Sequence, residues 1–145
     1  MAAAGGVVDY YRAVHEHHGG SASDDDVTAV RGAFELFAAQ EQALMTPLAQ
    51  WLTARDGVRL VGSPSADHAV RAPTFAFVPS RSSSADVVQA LVDARINCGN
   101  GNFYAYRLTE ALGLDPEDGV VRLSLVHYNS RDEVDRALEV LDSVL

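Results

Sequence analysis

Toward its end the chain changes apolar period within one short stretch, and that change constrains the fold more than any other feature. Val121, Leu123 and Leu125 share one face of a strand, since strand side chains alternate. After a corner at His127, Tyr128 and Asn129, Ser130 and Glu133 stand at capping-box spacing. Val134, Ala137, Leu138, Leu141 and Leu145 then recur at helical spacing. A strand with one wholly apolar face, running at once into an amphipathic helix, requires a sheet with helices packed on it. The opposite strand face reads Val120, Arg122, Ser124, Val126. A buried guanidinium there needs an anionic partner, and its planar fork matches a carboxylate in bidentate fashion. Arg122 is therefore a candidate carboxylate site. The alternative is an Arg122 on an exposed face, or paired with one of the chain's own acids. On spacing alone that alternative is the simpler reading.

The upstream sequence supplies the other elements. Residues 6–18 read as a helix on Val7, Val8, Tyr11 and Val14, ended by Gly19 or Gly20. His15 and His18 share a face of it, but a metal needs three or four convergent ligands, and a solvated helix end suits histidines. Asp24, Asp25 and Asp26 load the start of a second helix. Its stripe of Val30, Phe34, Phe37, Leu44, Leu48, Trp51 and Leu52 is interrupted by Glu41, and Pro47 should kink or split it near Met45. Shorter elements follow Gly57. Strands are expected at 58–62 and 74–78, then a helix N-capped by Ser84 that buries Val87, Val88, Leu91 and Val92. A short strand at 96–98, a glycine- and asparagine-rich loop at 99–102 and a helix at 103–112 come next. The expected fold class is α+β. A helical arm at 1–56, with two helices and the second kinked near Pro47, precedes a small α/β sandwich at 57–145 with a mostly antiparallel sheet.

Charge and composition narrow the function. A net charge of −9 over 145 residues leaves no footprint for nucleic acid. No apolar run approaches the roughly 20 residues that span a bilayer, and the first residues lack the basic and apolar regions of a secretory signal. A single cysteine, Cys98, excludes an internal disulfide and fits a reducing, cytoplasmic setting. As a lone cysteine without a basic neighbour in sequence, it reads as a small buried residue before it reads as a nucleophile. All 11 basic residues are arginine, so no side-chain amine can form a Schiff base. Gly99-Asn100-Gly101 lacks both the dinucleotide fingerprint and the P-loop lysine.

The pattern Arg122-x-Ser124-x-x-x-Tyr128-Asn129-Ser130-x-x-Glu133-x-Asp135 resembles the C-terminal signature of class V aminotransferases. These are the cysteine desulfurase-like group of fold type I pyridoxal-phosphate (PLP) enzymes. Upstream, Glu41-x-x-Leu44 with Leu52 and Val58-Arg59-Leu60-Val61-Gly62 is similar to the family's inter-domain helix and first small-domain strand. Thr74-Phe75-Ala76-Phe77 resembles the next strand. Gly101-Asn102-Phe103-Tyr104-Ala105, with Leu112-Gly113-Leu114, resembles the loop and helix after it, and residues 6–11 resemble the helix that follows the cofactor lysine.

The resemblance implies a small domain of the fold type I kind, PLP as cofactor and an amino acid as substrate. Arg122 would grip the substrate's α-carboxylate, and the loop 97–104 would line the entrance, with Asn102 and Tyr104 as further substrate-binding residues. Ser130 and Glu133 would be structural caps. The family's Schiff-base lysine, the acid facing the pyridine nitrogen, the ring-stacking residue and most phosphate ligands belong to an upstream large domain. No catalytic, cofactor-binding or metal-binding residue is therefore assigned here. The Gly-Thr pair that precedes the family's first helix is absent from residues 1–6, and Tyr104 takes the place of the desulfurase cysteine, as in a cysteine-less branch. A second register gives that part to Cys98. The implied protein is part of a split or truncated enzyme of the transferase or lyase kind, cytoplasmic and homo- or hetero-oligomeric, whose large domain is separate or missing. The alternative is a non-catalytic small domain that serves as a binding, regulatory or dimerisation module.

Overall fold

The computed structural model describes residues 2–145, with side chains from Gly5 onward. The chain divides into two compact units, Met1–Gln40 and Glu41–Leu145. Helix α1 (Ala2–His17) and the first part of α2 (Asp26–Ala54) make up the first unit. Asp25 caps α2, its Oδ1 accepting the Thr28 amide at 2.8 Å, which holds the carboxyl below its ordinary range. The ring of Tyr11 meets Phe34 and Phe37 with centroids 5.2 and 6.1 Å apart. His15 Nε2 lies 2.7 Å from Asp24 Oδ2, and that hydrogen bond lowers the Asp24 pKa. The histidine at this helix end thus has a carboxylate partner, and no metal-binding group of side chains occurs among the described residues.

In the second unit α2 continues through Pro47 as one helix, so of the two outcomes the sequence allows there, a kink or a split, the split does not occur. A proline removes one amide, the one that would bond the Ala43 carbonyl. Ala43 is exposed, so water can take that bond. On either side of the proline, Leu44, Met45, Leu48, Ala49 and Leu52 are buried in one core.

The core faces a four-stranded sheet of order β1-β2-β4-β3. Its strands are β1 (Val58–Val61), β2 (Thr74–Pro79), β3 (Gly99–Gly101) and β4 (Val120–Ser124), and every ladder is antiparallel. Leu60↔Phe77, Phe77↔Val121 and Phe75↔Leu123 lie in register, so their side chains build one inner face. Phe75, Phe77 and Val121 are fully buried, and Leu123 nearly so. Burying a side chain of this size contributes roughly 1.5–3 kcal/mol. The covering helices are α2, α3 (Ser84–Asp93) and α5 (Arg131–Val144), through Val87, Leu91, Val134 and Leu141. The α+β class and the antiparallel sheet agree with the sequence reading. No helix of the described residues is long and apolar enough to cross a membrane.

Four local expectations change. Ser83, not Ser84, caps α3, its Oγ accepting the Asp86 amide at 3.1 Å. Val92 is exposed rather than buried. The short strand is Gly99–Gly101 instead of 96–98, on residues that read as a loop. Its pairing uses only backbone groups, which glycine supplies as well as any residue, and Gly119 fixes the approach. Gly119 has φ +68, and a Cβ there would meet the Gly101 backbone at 2.1 Å. Finally, α4 (Tyr106–Ala111) starts three residues late, because Phe103 and Tyr104 adopt left-handed φ of 49° and 65°.

Candidate functional site

β3 covers β4 only as far as Gly99↔Arg122. Beyond it the chain turns away through residues 95–98 toward α3, and β4 continues without a strand on that side. A cavity of about 610 Å³ occupies this notch. The α3–β3 connector, the end of β4, the corner at Tyr128 and Asn129, and the first turns of α5 line it.

Arg122 lines the cavity from the outer, exposed face of β4. Its register neighbours, Ala76 and Gly99, are small and leave room around it. The guanidinium carbon lies 3.8 Å from the Phe103 ring centroid, a cation–π stack that braces the fork. Among the described residues no hydrogen bond or ion pair engages Arg122. Of the two readings of this residue, the exposed one describes its place, and its five N–H donors remain available to a ligand. Beside it, Ser124 Oγ lies 3.1 Å from Thr74 Oγ1.

The other two residues assigned to substrate do not line the cavity. Asn102 Nδ2 donates to the Pro116 carbonyl at 3.1 Å, and Asn102 Oδ1 accepts the Tyr104 amide at 3.1 Å. Both ends of the amide thus hold the loop in shape. The Tyr104 side chain is fully exposed. The upstream part of the expected entrance loop, Asn97, Cys98 and Gly99, does line the cavity. Burial pushes the Cys98 thiol up, so it is protonated at neutral pH, which is a poor state for a nucleophile.

Two cavity residues carried no signal in the sequence reading, Arg95 on the connector and Arg136 on α5. The sequence pattern puts Phe103 at the start of a helix, and the structure makes it the stacking partner of Arg122. The cavity's carboxylate is Glu133, which accepts the Ser130 amide at 2.8 Å and Asn129 Nδ2 at 3.1 Å. These bonds lower its pKa and keep it ionised as a cap.

Residues 28–137 match the aminotransferase class-V family. Over 115 residues the chain is 42% identical to "Aminotransferase-like protein FGM3" of Gibberella zeae, covering 77% of this chain and 28% of the relative. Over 108 residues it is 34% identical to a protein of Pseudomonas putida described as "Probable cysteine desulfurase", covering 74% and 25%. Among solved structures, the apo cysteine desulfurase of Thermococcus onnurineus superposes with a TM-score of 0.69 at 24% identity, over 82% of this chain and 28% of that one. That last likeness concerns the fold. The chain spans about a quarter of the length of these curated relatives.

Proposed function

The chain belongs to the aminotransferase class-V family, a PLP-dependent family, and on that premise we propose that it is the substrate-gripping C-terminal part of an enzyme acting on an amino acid. Arg122 holds the substrate's α-carboxylate. The observation that carries this reading is the unpaired guanidinium fork at the cavity, braced by Phe103 and flanked by small residues. A carboxylate meeting that fork forms two charge-assisted hydrogen bonds and replaces none within the chain. Asn102 and Tyr104 shape the approach to the site from their loop.

The residues present do not fit PLP itself. The cofactor forms a Schiff base with a lysine amine, and this chain has no lysine. The cations lining the cavity are guanidiniums, which stay protonated and form no such bond. In the proposed enzyme PLP therefore sits on residues outside these 145, in a large domain on a separate polypeptide or elsewhere in a longer protein. The assembly is an oligomer in the cytoplasm, the compartment suited to a chain with one free thiol.

Absorbance spectroscopy tests this division of labour. The chain mixed with PLP should show no visible band of lysine-bound cofactor. Mixed with a class V large domain, it should restore both the band and turnover of an amino acid. A covalent band in the chain alone contradicts the division, and a failure of every large domain to restore turnover contradicts the enzymatic role. In that event a second reading stands, a carboxylate-binding module without catalysis, which the same free fork and the lack of lysine also fit.

A further inference from the structure

Arg122 shares its cavity with two more cations, Arg95 and Arg136. Among the described residues none of the three donates a guanidinium hydrogen bond or makes a salt bridge, although the charge of Arg136, after the Ser130 and Asn129 hydrogen bonds, helps lower the Glu133 pKa. The carboxylate that lines the same cavity, Glu133, is committed to the α5 cap through Ser130 and Asn129. Three arginines and one engaged acid thus line one cavity, in a chain whose net charge is −9. Such a local reversal of sign concentrates anions. One of the three also occupies a costly position. Arg95 follows the last turn of α3 with φ 61°, and its amide bonds the Val92 carbonyl at 2.8 Å while the Ile96 amide bonds that of Leu91 at 2.9 Å. This is the Schellman closure, whose left-handed residue is ordinarily glycine. A long charged residue held there against its backbone preference points to a role for its side chain.

We propose that the cavity takes an amino acid with an acidic side chain, Arg122 holding the α-carboxylate and Arg95 with Arg136 holding the second anion. This rests on the proposed role of Arg122 and adds a substrate class to it. One carboxylate cannot use three forks, whereas a second carboxylate or a phosphate would satisfy the remaining two.

The test is an NMR or calorimetric titration of the chain with pairs of near-isosteric amino acids: L-glutamate against L-glutamine, L-aspartate against L-asparagine, and O-phosphoserine against serine. At least one acidic member should bind roughly tenfold more tightly than its neutral partner, the scale of one charge-assisted bond. Which pair responds tells a carboxylate from a phosphate. R136Q and R95G should each shrink that preference, weakening the acidic member more than the neutral one. R95G should also melt at a higher temperature, since glycine suits the backbone there. Equal affinities within all three pairs, or a preference unchanged in both variants, overturn the proposal. R122Q separates it from the functional reading. If R122Q weakens both members of a pair and no acidic preference exists, only the second subsite is lost. If R122Q changes nothing, or no amino acid binds the wild type, the reading of Arg122 falls as well, and this proposal with it.

Discussion

Ser83 and Ser84 are neighbours with opposite effects on stability. Ser83 has extended backbone, φ −74° and ψ 155°, and its hydroxyl caps α3. Ser84 is the first helical residue, and its hydroxyl is buried without a partner. Ser83→Ala should cost about 1 kcal/mol, the usual worth of a serine cap. Ser84→Ala should cost nothing or stabilise by up to about 1 kcal/mol, since it removes an unsatisfied polar group. Urea unfolding of both variants measures this, and a larger loss for Ser84→Ala than for Ser83→Ala contradicts the assignment. Three serines in a row, at 82–84, left the cap position open in the sequence. The choice is made from 34 residues away, where Asp118 accepts the Ser84 amide at 2.9 Å. Arg122 was legible for the opposite reason. A lone charge on an otherwise apolar-flanked strand is visible in the period itself, whereas Arg95 and Arg136 look like ordinary surface residues until the strand beside them is seen to stop.

Among the elements, α5 was the most legible, because its cap, stripe and charges all lie within one continuous stretch. The capping box forms as its spacing predicts, Ser130 Oγ accepting the Glu133 amide and Glu133 accepting the Ser130 amide. Val134, Ala137 and Leu141 are buried. The bond from the Ser130 amide, then that from Asn129, lowers the Glu133 pKa in the folded chain. A depressed carboxyl pKa means stability that is fully present above the unfolded value and is lost as pH falls through the folded one. The wild type should therefore exceed Glu133→Gln in stability at neutral pH, and the gap should close in acid below the folded pKa. Thermal melts across that range check it, and a gap independent of pH contradicts it. β3 was the least legible element. Glycine and asparagine are poor strand formers by propensity, and only the free edge of β4 and the tight approach of Gly119 make a strand of them. The cavity inherits this difficulty, since it exists where that short strand ends.

For the molecule as a whole, one sheet face carries the fold and the other carries the proposed function. Phe75, Phe77, Val121 and Leu123 are committed to the helices of the second unit, while Arg122 and Ser124, alternating with them on β4, face outward. The same two-residue period that anchors the strand thus presents the guanidinium, and a change that shifted the register would lose both together. The chain spans about a quarter of the length of its Gibberella zeae and Pseudomonas putida relatives, and on the proposed reading the PLP chemistry lies outside it. The grip of Arg122 on a carboxylate is the central claim, and it can be tested on this chain alone. In a two-dimensional NMR titration, L-alanine should shift the amides of Gly99, Phe103 and Ser124 in the wild type. The shifts should vanish in Arg122→Gln, and L-alaninamide, which lacks the carboxylate, should produce none. Equal shifts in the variant, or with the amide, would contradict the account.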